Sequence, residues 1–149
     1  MSNAELEIRT LQQKDFDAVV AIDENVFNHS RPEYYEAKFT QALNKKDHIV
    51  ASFVAETDGK VVGFVMSELF VGEYGIPDTT AQLDTIGVDP DYQGKGVSRQ
   101  LMEAFISHLR KAGVEKVTTL VDWNDWQLTR FFSKVGFEPA KKINLELKL

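Results

Sequence analysis

The feature that most limits how this chain can fold is the stretch from Ala81 to Trp123, where a β-rich run, a glycine-containing turn, a long amphipathic run and a second β-rich run follow without a gap. A-Q-L-D-T-I-G-V (81 to 88) reads as a strand and D-P-D-Y-Q-G-K-G (89 to 96) as a turn. Val97, Leu101, Phe105 and Leu109 then recur at steps of four, with Met102 and Ile106 alongside, which is the spacing of a helix with one apolar face. Gly113 behind Arg110 and Lys111 ends it, and K-V-T-T-L-V-D-W (116 to 123) is a returning strand. Two strands joined through a helix pair in parallel, so residues 81 to 122 demand a sheet with at least one parallel pair and a helix packed on it.

The remaining elements are read the same way. A short strand at Leu6 to Arg9 precedes a helix from near Lys14, whose apolar positions are Phe16, Val19, Val20, Ile22, Val26 and Phe27. Arg31-Pro32 opens a second helix carrying Tyr35, Phe39, Ala42 and Leu43 and ending near Lys45, because proline suits the first helical position. I-V-A-S-F-V-A-E-T (49 to 57) and K-V-V-G-F-V-M-S-E-L-F (60 to 70) flank Asp58-Gly59, a strong hairpin signal. Leu128, Phe131, Phe132 and Val135 mark a last helix closed by Gly136, and I-N-L-E-L-K-L (143 to 149) alternates like a strand with one wet face. The expected order is β α α β β β α β α β, a single α/β (α+β) domain over residues 1–149. Its sheet is mixed and mostly antiparallel, with helices on both faces.

Composition narrows the function classes. The chain carries 17 Lys plus Arg against 23 Asp plus Glu, a formal net charge of -6 with no basic cluster, which argues against a nucleic-acid partner. It has no cysteine, which excludes disulfides, thiolate nucleophiles and Cys-based zinc sites and suits a reducing cytoplasm. His29, His48 and His108 show no metal-ligand spacing and read as surface residues, so no metal is expected. No apolar run approaches the roughly 18 residues that cross a bilayer, and M-S-N-A-E-L-E-I-R lacks the regions of a signal peptide, so no membrane association is expected.

The turn at 89 to 96 is where chemistry enters. Glycines at a helix start present unpaired backbone N–H groups in one direction, and the helix dipole makes that point attractive to an anion such as phosphate. Gly94 and Gly96 allow close approach, and Lys95 adds charge. The stretch fits neither a P-loop, since position 89 is Asp and position 96 is Gly, nor a dinucleotide fingerprint, since position 99 is Arg. By themselves the two glycines are equally a tight strand-to-helix turn.

Val88, Pro90, Gln93 and Gly96 in V-D-P-D-Y-Q-G-K-G-V-S-R-Q-L resemble the acetyl-CoA-binding motif of the GNAT superfamily of N-acetyltransferases, V-x-P-x-x-Q/R-x-x-G-x-G/A before an apolar helix. Ser98 departs from the final Gly or Ala. The element order resembles the family along nearly the whole chain, as does F-F-S-K-V-G-F (131 to 137). The resemblance implies acetyl transfer from acetyl-CoA to a primary amine by direct attack, with no covalent enzyme intermediate. It assigns the pyrophosphate to backbone groups of Gln93, Gly94, Lys95, Gly96, Val97 and Ser98, and the pantetheine to Ile86, Gly87 and Val88, paired like an added strand where two strands splay.

Within that resemblance Gly87 suggests a bulge that starts the splay, or else tight packing. The backbone N–H of Val88 is the oxyanion donor. Alternation places Gln82, Asp84, Ile86 and Val88 on one face, making Asp84 a candidate base, with Glu68 of the neighbouring strand the second; each is alternatively a salt-bridged strand residue or an attractor of the incoming ammonium. Asn124 and Asp125 are placed to touch the pantetheine arm or to cap a helix. The departure is Phe132, at the position where many relatives carry a tyrosine that protonates the leaving sulfur; Tyr92, Tyr74 or solvent would have to serve. Trp123, Trp126, Tyr34 and Tyr35 are either core or acceptor pocket. The rival function is a non-catalytic acyl-CoA-binding or interaction module of the same fold, and the alternating C-terminal strand allows a homodimer through a partner's sheet edge.

Overall fold

The computed structural model describes residues 5–43, 50–70 and 79–149; Tyr74 and His48 lie outside the described residues. Its order is β1 (Glu7–Thr10), α1 (Phe16–Phe27), α2 (Pro32–Leu43), β2 (Phe53–Thr57), β3 (Lys60–Phe70), β4 (Thr80–Val88), α3 (Val97–Lys111), β5 (Lys116–Thr119) and α4 (Trp126–Val135). The five strands lie in sequence order in one sheet, antiparallel except for the parallel β4–β5 pair. The strand, helix, strand unit read from residues 81 to 122 is thus formed.

Each face of the sheet carries its own core. On one side Val97, Leu101, Met102, Phe105 and Leu109 of α3 and Phe132 of α4 pack with Phe53, Val65, Leu83 and Val88. On the other, Val19, Ile22, Tyr35 and Phe39 of α1 and α2 pack on Val54, Phe64 and Met66. Gly63 lets α3 approach, since a Cβ there would stand 3.0 Å from Val97 Cγ1 and 3.1 Å from Leu101 Cδ1.

The elbow between α1 and α2 is locked by a charge. Asp23 is fully buried and accepts from Arg31 Nε at 2.9 Å, Arg31 Nη2 at 2.6 Å and the Tyr35 hydroxyl at 2.7 Å. The hydrogen bond to Asp23 holds the Arg31 guanidinium charged well beyond its ordinary range, while burial, followed by that same carboxylate, pushes the Tyr35 phenol far up. A carboxylate taken out of water persists only with such partners. The lock aims the next turn of α2 at β4.

Three expectations are corrected. Residues 143–149 form no strand: Ile143, Leu145 and Leu147 are each 83% exposed and Leu149 fully so. Alternation reports a segment able to be half-buried, not whether its own sheet receives it. β5 stops at Thr119 rather than Trp123, because β4 and β5 diverge there. His108 is half-buried rather than freely solvated, for its Nε2 is buried without a hydrogen-bond partner and its ring stands edge-on to Phe53 at 5.0 Å.

Candidate active site

The sheet opens at the centre of β4. Thr80 to Leu83 pair with Lys116 to Thr119, and the Thr119 hydroxyl donates to the Leu83 carbonyl at 3.0 Å on the last rung. Beyond it β4 runs on to Val88 with no strand on that edge among the described residues. On its other edge β4 stays paired to β3, and the Asp89 N–H donates to the Val62 carbonyl at 2.8 Å. Antiparallel rungs alternate, so the neighbouring Val88 N–H, and that of Ile86, point away from β3 into the opening.

The bulge that accompanies this splay lies at Asp84, not at Gly87. Met66 pairs with Thr85 and Ser67 with Leu83, leaving Asp84 as the extra residue of β4. Gly87 pairs regularly with Phe64, and its lack of a side chain is a packing requirement: a Cβ would meet Phe64 Cε1 at 2.8 Å. A one-residue bulge shifts the alternation by one. Ala81, Leu83, Ile86 and Val88 therefore face α3, while Asp84 and Thr85 both face α2. Asp84 does not share the face of the Ile86 and Val88 side chains, contrary to the period-two expectation.

On the α2 side a polar cluster forms over the bulge. Lys38 Nζ donates to Asp84 Oδ2 at 3.1 Å, and the hydroxyls of Tyr34 and Thr85 lie 3.3 Å apart. Glu68 is opposite Gln82 in the ladder and close enough to act on Lys38. Burial lowers the affinity of Lys38 for its proton, but the hydrogen bond and charge of Asp84, with Tyr34 and Glu68, outweigh it and raise the ammonium above its ordinary range. The Tyr34 ring lies under both Arg31, at 4.6 Å, and Lys38, at 5.6 Å. Tyr34 is thus a wall of this cluster and Tyr35 is core. Lys38 and Thr85 were not singled out in the sequence; the helical signal for Lys38 is its place one turn beyond Tyr34.

At the far end of β4, Pro90–Tyr92 forms a 3-10 turn whose Asp89 side chain accepts from the Asp91 N–H at 2.9 Å. The Gln93 side chain donates to the Val88 carbonyl at 3.2 Å, tying the turn to the strand. Gly94 and Gly96 take φ of 76° and 80°, and a Cβ at either would meet nothing within 4 Å, so their role is conformational and the space above them is open. Gly96 caps α3 without a side-chain hydrogen bond, leaving the first-turn N–H groups of Val97 and Ser98 to whatever occupies that space. Lys60 and Lys95 both lie 5.3 Å from the Tyr92 ring centre, Lys60 while paired with Asp89 at 3.5 Å, so the positive charge the turn can offer an anion comes from Lys95. An anion fits here. A separate depression of about 400 Å³ between α1 and the Asp58-Gly59 turn is lined by Arg9, Asp15, Glu56, Lys60 and Asp89, whose charges already pair with one another.

The remaining expected residues lie on and around α4. Asp125 accepts from the Leu128 N–H at 3.0 Å and caps α4; Asn124 is exposed beside it. Phe132 is buried against Phe131 and Phe137, so no proton donor stands at that position. Trp123 and Trp126 are exposed, hence neither core nor covered pocket. Among the described residues no group of His, Cys, Asp and Glu could hold a metal ion, and no helix is long and apolar enough to cross a membrane.

A parallel pair that splays beside a glycine turn at a helix start is the arrangement to be placed among known folds, and sequence comparison names the family. The profile of the Acetyltransferase (GNAT) family matches residues 7–137; the chain belongs to that family. It is 29% identical over 137 residues to a mycothiol acetyltransferase of Propionibacterium freudenreichii, covering 89% of this chain and 43% of that protein. A mycothiol acetyltransferase of Thermomonospora curvata is 33% identical over 85 residues, covering 57% and 27%. The chain thus spans less than half the length of these curated relatives. Its fold matches an aminoglycoside N-acetyltransferase AAC(6')-Iy solved with CoA, at TM-score 0.78, 19% identity and 99% and 97% coverage. It also matches the ribosomal-protein-S18-alanine N-acetyltransferase of Escherichia coli, at TM-score 0.75, 23% identity and 92% and 80% coverage.

Proposed function

We propose that this chain transfers the acetyl group of acetyl-CoA to an amine by direct attack on the thioester. The observation that carries the proposal is the edge of Ile86 to Val88, beyond the last β4–β5 pair, leading into the glycine turn and the start of α3, where the N-cap Gly96 has no side chain to bond the first-turn N–H groups. Backbone groups of Gln93, Gly94, Lys95, Gly96, Val97 and Ser98 receive the pyrophosphate, and Ile86, Gly87 and Val88 receive the pantetheine arm as an added strand. The Val88 N–H, directed into the opening, stabilises the oxyanion.

The acceptor enters from the α2 side. Asp84 and Glu68 draw its ammonium in and take up its first proton, which frees the nitrogen lone pair to form the C–N bond as the C–S bond breaks. The second proton reaches the departing thiolate through solvent, because Phe132 carries none to give. Mycothiol acetyltransferases and aminoglycoside acetyltransferases among the similar proteins support an amine on a small polar molecule as the acceptor class. The cysteine-free composition supports a cytoplasmic setting. Mixing the protein with acetyl-CoA and a panel of amines, and reading free CoA thiol, tests the proposal: amine-dependent release supports it. Binding of acetyl-CoA without release over the whole panel makes it a binding module instead.

A further inference from the structure

The carboxylate that the β4 bulge turns toward α2 is not bare. Lys38 Nζ donates to Asp84 Oδ2 at 3.1 Å, with the two side chains only 21% and 12% exposed, so a cation of the chain takes one of the two carboxylate oxygens. The ammonium is held by more than this bond. It lies 5.6 Å from the Tyr34 ring centre, and the charge of Glu68 in the neighbouring strand helps to keep it protonated.

A fixed cation at this place changes what the site can receive. An exposed ion pair would count for little, because water and salt screen it, but charges this far withdrawn from solvent are screened much less. An ammonium that bonds the second oxygen of Asp84 gains the carboxylate and accepts Lys38 as a neighbour of like charge. A second positive charge on the same acceptor adds repulsion from Lys38 where Asp84 is already shared. Arg31 acts in the same sense, for it stands 4.6 Å from the Tyr34 ring centre while its own carboxylate, Asp23, is fully buried out of an acceptor's reach. Glu33 and Glu36 of α2 are exposed, and helical spacing sets them off the face that carries Tyr34 and Lys38. The Tyr34 and Thr85 hydroxyls, 3.3 Å apart, add polar groups without charge.

We propose that Lys38 determines which amines this site takes, by turning away acceptors that carry a second positive charge close to the reacting one. The substrate class is then a small amine with a single charge and uncharged polar neighbours, and polyamines are excluded. The inference rests on the reading of Asp84 as the carboxylate that meets the acceptor. Lys38 acts on the choice of substrate through its charge and takes no part in the bond exchange, so it is a specificity residue rather than a catalytic one.

n-Butylamine and 1,4-diaminobutane match in length and differ in the second charge, which makes them the probes. With acetyl-CoA and the full chain, free CoA thiol gives kcat/KM for each amine. The wild type favours the monoamine; Lys38→Met moves the ratio at least about tenfold toward the diamine, and Lys38→Gln, a second neutral variant, moves it the same way. Lys38→Arg restores the cation and keeps the wild-type ratio. Each ratio is taken within one protein, so a smaller folded fraction cancels, and a merely structural role for Lys38 lowers both values together. Calorimetric binding of the same two amines to the chain loaded with CoA reads the selection without turnover. Preference for the monoamine in binding, lost in Lys38→Met, with no thiol release from any protein, upholds the selection and overturns acetyl transfer. The inference is overturned by a wild type that prefers the diamine, by one ratio shared by wild type and both neutral variants, by Lys38→Arg behaving as Lys38→Met, or by neither amine being bound or acetylated.

Discussion

Lys38 Nζ lies 3.1 Å from Asp84 Oδ2, so a cation of the chain already occupies one side of the carboxylate that the bulge of β4 presents to α2. On the proposed reading of Asp84, an acceptor ammonium would have to share this carboxylate with Lys38 or displace it. Lys38→Met leaves a largely buried carboxylate without its partner and is expected to cost about 1–3 kcal/mol of stability, seen in denaturant unfolding. Because the ammonium is raised in the folded state, its contribution is fully present below the ordinary lysine range of about 10.4 and is lost as pH rises through the higher folded value. Wild type and variant therefore differ by a constant amount near neutrality and converge in strong alkali.

Asp84→Asn keeps the shape of the bulge and removes the charge. If proton uptake passes through it, kcat/KM falls about a hundredfold while acetyl-CoA affinity is unchanged, a split read by steady-state kinetics and calorimetry. Glu68→Gln, further from the opening, is expected to produce the smaller loss.

Gly87 and Gly96 separate packing from binding. Gly87→Ala drives a Cβ into the Phe64 ring and is expected to destabilise the fold by about 1–3 kcal/mol. Gly96→Ala meets open space and costs only its left-handed backbone, about 1–2 kcal/mol, but places a methyl at the proposed pyrophosphate site. Acetyl-CoA calorimetry should show a weakening at Gly96 that exceeds anything at Gly87.

Asp125→Ala removes the cap on α4. Thermal unfolding should report a loss of about 1 kcal/mol, and the KM for acetyl-CoA should not move, because the carboxylate is spent on the Leu128 N–H.

How much of this was legible in the sequence differs by residue. β3 and α3 were readable because Asp58-Gly59 and the Val97, Leu101, Phe105, Leu109 series are local signals that tertiary structure had no reason to override. The turn at Gly94 and Gly96 was readable for the same reason, since two glycines with positive φ leave a mark in the chain. Asp84 was named, but on the wrong face, because a bulge is a property of two strands and leaves no trace in one. Lys38 escaped notice since a lysine on a helix is ordinarily solvated; the packing of Tyr35 and Phe39 on the sheet and the Asp23 lock on Arg31 and Tyr35 are tertiary features that set this face of α2 against β4. The strand read at residues 143–149 had the right pattern and no partner in its own sheet.

Release of CoA thiol on mixing the protein with acetyl-CoA and a panel of small polar amines bears most directly on the central claim. With an accepted amine, thiol should appear in a one-to-one ratio with N-acetylated product, and Gly96→Trp, still folded by circular dichroism, should abolish both. No acetyl-CoA binding by the wild-type chain, or undiminished turnover in Gly96→Trp, would contradict it.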